Sequence, residues 1–205
     1  MKKIYMNIGV LALQGDFSDH IRSLHRHGVH GLAVRTKSDL NQVRALIIPG
    51  GESTVIAKLL KSSGMDQEIV KRAKAGMPIW GTCAGAILLA RKVHSPVELE
   101  TSLSLLDVEI ERNSYGRQTE SFVTELSVRD GRDGRDVTRE GDYFTVEAMF
   151  IRAPRIIKTG RLVQVLAEYK GDPVLVRRKN ILAGTFHSEF KHPDPVLEYF
   201  LDMVK

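Results

Sequence analysis

The sequence has one cysteine, no apolar run of membrane length and no heavy excess of either charge. Each shortage closes off a class of protein. A single thiol, Cys83, excludes an internal disulfide and any zinc site built on several thiolates. A lone thiol also suits a reducing compartment, so the chain reads as cytoplasmic. A membrane helix needs about 20 apolar residues in succession, and none is present, so no membrane role is expected. Residues 1–7 are charged and lead into an apolar stretch with no small-residue cleavage site, which reads as an opening strand and not a secretory leader. The net charge is +5, but basic residues alternate with acidic ones, most visibly in Arg129-Asp130-Gly131-Arg132-Asp133-Gly134-Arg135-Asp136. Alternation cancels the long-range field. That stretch reads as a solvated, turn-rich loop, and no nucleic-acid partner is indicated.

What remains is ordinary for a globular protein. The 205 residues, 42% hydrophobic and 27% charged, suffice for one domain with a sizeable core, taken here as residues 1–205. Residues 4–13 form a nearly continuous apolar run, the mark of a strand buried on both faces. Gln14-Gly15-Asp16 breaks it. Phe17, Ile21 and Leu24 then recur at helical spacing until Gly28 stops them. Strands are expected at 31–35 and 45–48, a helical turn at 38–40, and helical periodicity over 55–60 and 66–74. Strand and helix in this alternation predict an α/β fold: a mostly parallel central sheet of flavodoxin-like kind, flanked by helices. The second half changes character. Residues 105–111, 121–128, 143–151, 162–169, 173–177 and 181–186 read as strands with hardly a helix between, and are expected to extend the sheet as antiparallel hairpins. Asp194 and Pro195 then open a closing helix over 196–204.

The chain is organised around residues 77–90, where an apolar strand passes through Gly81-Thr82-Cys83-Ala84-Gly85 into an apolar helix. A side chain at the tip of such a turn is held clear of the backbone. Small neighbours let strand and helix approach closely, and the helix start favours negative charge on sulfur. This is a thiol version of a nucleophile elbow; the alternative is a small buried cysteine between packing glycines. A thiol nucleophile needs a base, and the base an orienting group. Of the seven histidines, His20, His25 and His27 fall on a predicted helix and read as solvated, while His94 and His192 sit in polar loops; His30 carries no further signal. His187 directly follows an apolar strand, with Glu189 two residues on. Residues i and i+2 of an extended segment project to one side, so the carboxylate can fix the imidazole tautomer. The alternative is an exposed strand-end pair. Both features fall at carboxyl ends of predicted strands, the edge where open α/β sheets bind ligands. Pro49-Gly50-Gly51-Glu52-Ser53-Thr54 ends a neighbouring strand there, either as a glycine turn or as a loop offering an N–H to an oxyanion. A phosphate loop fits less well, since the Gly-Lys-Ser/Thr ending is absent.

Gly81-Thr82-Cys83-Ala84-Gly85 together with His187-Ser188-Glu189 resembles the class I, or triad, glutamine amidotransferases. A closer resemblance, to the glutaminase subunits of pyridoxal 5′-phosphate synthases, is carried by blocks spread along the chain. These are residues 11–17 (Leu-Ala-Leu-Gln-Gly-Asp-Phe), 47–54, 78–90, 111–118 (Glu-Arg-Asn-Ser-Tyr-Gly-Arg-Gln), 150–154 (Phe-Ile-Arg-Ala-Pro) and 186–189. The resemblance implies hydrolysis of L-glutamine with Cys83 as nucleophile, His187 as proton shuttle and Glu189 as its orienting carboxylate. It places Gly51, Glu52, Ser53, Arg112, Ile151 and Arg152 against the glutamine, and Gly51 and Ala84 at an oxyanion hole. It further implies a (β/α)8-barrel synthase subunit as partner, with twelve glutaminases around a dodecameric core, and no metal or cofactor on this chain. Pyridoxal 5′-phosphate would be the complex's product. A glutaminase of another biosynthetic complex, such as the one making the imidazole ring of histidine, a thiol sensor of the same fold, and an esterase or peptidase are the rival readings. One departure stands out: Ser188 occupies a place where the family usually has proline, which predicts a looser His–Glu segment.

Overall fold

The computed structural model describes residues 7–96, 99, 101–112, 121–130 and 143–205. Residues 1–6, residues 113–118 of one family-like block, and residues 131–136 of the Arg-Asp-Gly stretch lie outside the described residues.

The first half alternates as its periodicity predicts: β1 (Asn7–Leu11), α1 (Phe17–Arg26), β2 (His30–Val34), α2 (Lys37–Leu40), β3 (Ala45–Ile48), α3 (Ser53–Ser63), α4 (Met65–Lys74), β4 (Ile79–Thr82) and α5 (Ala84–Leu89). The second half is strand-rich: β5 (Ala90–His94), β6 (Leu106–Glu111), β7 (Phe122–Arg129), β8 (Tyr143–Phe150), β9 (Arg155–Thr159), β10 (Gln164–Tyr169), β11 (Asp172–Arg178) and β12 (Ile181–Gly184), closed by α6 (Pro195–Val204).

Seven strands form the main sheet in the order β10-β11-β12-β4-β3-β1-β2. From β2 to β12 every neighbour is parallel, and β11 and β10 add on antiparallel. The parallel part is thus ordered β2-β1-β3-β4-β12, the flavodoxin-like arrangement, whose strand order reverses beside β1. Period-two alternation sorts the side chains to two cores. Ile47 and Trp80 pack with α1, α6, β7 and β8 on one face. Leu46, Ile48 and Ile79 pack with α3, α4, α5 and the β5-β6-β9 layer on the other.

The expectation that all late strands extend the main sheet holds for β10, β11 and β12, with β12 joining parallel to β4. β5, β6 and β9 make a three-stranded sheet of their own, and β7 and β8 a two-stranded one. The reason lies in one-sided burial. β7 and β8 bury alternate residues, so they lie over the main sheet and not beside it. Phe122 stacks on Phe150 at 4.8 Å and on Tyr169 of β10 at 5.1 Å. β5 and β9 have no counterpart among the expected strands because cations dilute their apolar signal. Arg91, Lys92 and Lys158 all reach the Glu109 carboxylate of the intervening β6. β12 also stops at Gly184, short of the expected Phe186.

Candidate active site

The carboxyl ends of β1, β3, β4 and β12 lie side by side because these strands are parallel neighbours. Their following loops enclose one cavity of about 310 Å³. Gln14, Gly15 and Asp16 line it from β1, Gly51, Glu52 and Ser53 from β3, Cys83 and Ala84 from β4, and His187 from β12. Arg112 arrives from the end of β6, and Ile151 and Arg152 from the end of β8. Every residue singled out in the sequence for substrate contact or an oxyanion hole therefore borders the space that Cys83 and His187 border. Gln14, Gly15, Asp16 and Ile87 join them without having been singled out. The first three stand at the end of a strand on the same edge, which is the signal that would have found them.

Cys83 sits between β4 and α5 with φ 49° and ψ −102°. That backbone is unfavourable for a side-chain-bearing residue and is held by its surroundings. The Cys83 N–H donates to the Gly184 carbonyl at 2.8 Å, tying the elbow to β12. The flanking glycines are there for space: a Cβ on Gly85 would stand 2.0 Å from the Ile48 oxygen, and one on Gly81 2.6 Å from the Gly85 carbonyl carbon. Cys83 is 9% exposed and its Sγ lies 4.0 Å from the Ile151 oxygen.

His187 is held by a two-bond bridge to Met149, each N–H donating to the other's carbonyl at 2.9 Å. Its Nδ1 donates to Glu189 Oε1 at 2.6 Å, which leaves Nε2 for the sulfur side. Burial disfavours charge on this imidazole. The Glu189 carboxylate and the neighbouring Cys83 thiol outweigh it and hold the His187 pKa well above the ordinary value. A proton kept there is a proton available to a leaving amine. For Glu189, burial pushes upward, while His20 and His187 pull harder and bring its pKa down to about 2. Ser188 corrects the expectation of a looser segment: its backbone N–H donates to Glu189 Oε2 at 3.0 Å, a bond proline cannot make.

Glu52 caps α3, accepting from the Thr54 N–H at 3.2 Å and hydroxyl at 2.8 Å. Those bonds, the hydroxyl's first, and then Arg112 and Arg152 hold its pKa down. Arg112 Nη2 pairs with Glu52 Oε1 at 3.0 Å, so the cavity presents an anion beside cations. Gln14 Oε1 accepts from the Glu52 N–H at 2.8 Å. Gly51 lies at φ 150°, and a Cβ on it would stand 2.6 Å from that same Gln14 oxygen.

Two histidines depart from the sequence reading. His20 and His27 are not solvated: His20 is 1% exposed, and His27 accepts the Asp194 N–H on Nε2 at 3.2 Å. His20 contacts Glu189 Oε1 at 3.4 Å and Thr82 Oγ1 at 3.1 Å. Its place three residues after Phe17 and four before Leu24 puts it on the apolar stripe of α1, the signal that bore on it. His25 is exposed as expected, and His94 closes β5 with Nε2 2.9 Å from Glu109 Oε2.

A thiol, an imidazole and a carboxylate in series, beside backbone amides and a charged pocket, form the set used in thiol-based acyl transfer. Residues 10–205 match the SNO glutamine amidotransferase family. The chain belongs to that family. Among SNO relatives, a protein of Thermotoga neapolitana named pyridoxal 5′-phosphate synthase subunit PdxT is 46% identical over 98% of this chain and 100% of its own. The PdxT of Thermoplasma volcanium is 43% identical over 97% and 94%. A crystal structure titled as a glutamine amidotransferase superposes with a TM-score of 0.85, at 41% identity and over 96% of this chain and 98% of that one. The structure of PurLQS from Thermotoga maritima, at 18% identity and a TM-score of 0.71 over 98% of this chain and 100% of that one, shares the fold. This SNO-family chain thus has the α/β amidotransferase architecture expected of it.

Proposed function

We propose that this chain hydrolyses L-glutamine to L-glutamate and ammonia, and hands the ammonia to the synthase subunit of a pyridoxal 5′-phosphate synthase. The observation that carries the reading is the 2.6 Å bond from His187 Nδ1 to Glu189, facing a cavity that the elbow sulfur of Cys83 also enters. The near full-length similarity to PdxT supplies the pathway.

In the reaction, the Cys83 thiol passes its proton to His187 Nε2 as its sulfur adds to the side-chain amide carbon. The carbonyl oxygen gains the negative charge and turns toward the Gly51 and Ala84 N–H groups, where each aimed donor is worth about 3 kcal/mol. His187 Nε2 delivers its proton to the departing nitrogen, the C–N bond breaks, and ammonia leaves a glutamyl thioester on Cys83. Water then attacks the thioester carbon as His187 takes its proton, and the C–S bond breaks to release glutamate. Glu189 keeps the imidazole in one tautomer throughout. Arg112 and Arg152 receive the substrate α-carboxylate in charge-assisted pairs. Glu52 complements the α-ammonium, with Ser53 and Ile151 completing the pocket. The enzyme acts as one domain in the cytoplasm, docked on a (β/α)8-barrel synthase in a twelve-plus-twelve assembly.

The test is ammonia release by wild type and Cys83→Ala with the synthase subunit present. The variant should bind glutamine and lose turnover by about a thousandfold or more. Wild-type turnover in Cys83→Ala overturns the reading.

A further inference from the structure

Behind Glu189, away from the cavity, stands a histidine that the reaction above does not use. His20 is buried, meets the Trp80 ring edge-on at 5.4 Å, and sets Nε2 3.1 Å from Thr82 Oγ1 and 3.4 Å from Glu189 Oε1. A bare nitrogen lone pair aimed at a carboxylate oxygen would be repulsive, so Nε2 carries the hydrogen and both oxygens compete to accept it. Three N–H groups then surround the Glu189 carboxylate: His187 Nδ1 on Oε1, Ser188 N on Oε2 at 3.0 Å, and His20 Nε2 beside Oε1. The Glu189 backbone is tied too, its carbonyl accepting from Arg26 Nη2 at 2.7 Å. One imidazole nitrogen thereby joins α1, the end of β4 immediately before Cys83, and the segment that holds the proposed base.

We propose that His20 is a positioning residue for glutamine hydrolysis, its Nε2–H fixing the Glu189 carboxylate in the orientation that sets the His187 tautomer. The inference rests on the triad reading above. His20 does not line the cavity, so it acts through the groups it touches, Glu189 foremost and Thr82 beside it. The groups that face it are Glu189 and His187 from the segment after β12, Asp16 and Asp19 from the start of α1, and Thr82 from β4. Burial lowers its pKa below the ordinary value despite the neighbouring carboxylates. His20 is therefore neutral at working pH, and its Nε2–H meets Glu189 Oε1 as a dipole at 3.4 Å. Its loss frees the carboxylate to turn off His187 Nδ1. The effect falls on kcat and spares KM, because glutamine is held by other residues.

The experiment measures ammonia release, with the synthase subunit present, for wild type, His20→Gln, His20→Asn, His20→Leu and Glu189→Gln. A glutamine amide nitrogen reaches the place of Nε2, an asparagine amide the place of Nδ1, and leucine keeps bulk without a donor. His20→Leu and His20→Asn should lose about 10- to 100-fold in kcat, as orienting partners typically do, with KM within about twofold. His20→Gln should return to within about threefold of wild type. A packing role predicts the opposite order, with leucine above glutamine. Wild-type kcat in His20→Leu overturns the inference, as does His20→Gln no better than His20→Asn, a comparison that stands even where the leucine variant does not fold. Loss in Glu189→Gln without loss in the His20 variants sinks the inference and leaves the triad standing. Wild-type kcat in Glu189→Gln sinks the triad itself.

Discussion

Beneath the imidazole of His187 there is no room for a methyl group. A Cβ on Gly50 would stand 2.4 Å from His187 Cε1 and 3.2 Å from Nε2, so even alanine displaces the ring from the sulfur. Misplacement by about 1 Å costs on the order of a hundredfold in rate. Gly50→Ala should therefore lose kcat by about that factor while unfolding at the wild-type temperature; unchanged kcat would mean the ring has another working position. Residues such as Cys83, His187 and Glu189 were legible because each announces itself in a few positions: glycines around a sulfur, and a base with a carboxylate two residues on. Arg112 and Arg152 were not readable without the family resemblance, since an arginine that lines a pocket and one in solvent look alike in a string. His20 was legible in principle, lying on the apolar stripe of α1. Helical histidines are more often wet, and nothing local revealed that Glu189 would pack against that stripe.

At the scale of elements, the start of α6 couples helix capping to protonation. Asp194 Oδ1 accepts from the Val196 and Leu197 N–H groups at 3.1 and 3.2 Å. Burial, with some help from Glu189, raises its pKa from 3.8 to about 6. An acid whose folded pKa is raised contributes stability that is full below the unfolded value and lost as pH rises through the folded one. Wild type should accordingly lose up to about 3 kcal/mol between pH 4 and pH 7 from this group. Asp194→Asn keeps the capping oxygen without the charge. Its thermal midpoint should lie above wild type at pH 7.5 and meet it near pH 4; equal midpoints at both would show the carboxylate to be at ease where it is. The elements themselves followed their periodicity closely in the first half, where helices separate the strands. The sorting of β5 to β9 into two lesser sheets was not legible, because alternation tells which face of a strand is buried and not what buries it.

For the molecule as a whole, Arg112 stands paired with Glu52 in the pocket proposed for glutamine, and entry of the substrate must reapportion that pair. A partner docking over this edge can favour the opened arrangement, and couplings of this kind typically span 5- to 150-fold. Glutaminase turnover should rise about tenfold or more when the synthase subunit is added; equal turnover with and without it counts against the coupling. Among the described residues no group of three or more His, Cys, Asp and Glu side chains could hold a metal ion. The proposed thiol chemistry calls on no metal ion, so a strong chelator is expected to leave ammonia release at its untreated rate, and a loss restored by divalent ion would contradict it. Cys83 is the sole sulfhydryl of the chain, and this gives the protein a built-in counter. One equivalent of a maleimide-sized reagent reports every competent centre in a preparation. Protection by glutamine, followed over a titration, then yields occupancy directly in the unaltered polypeptide.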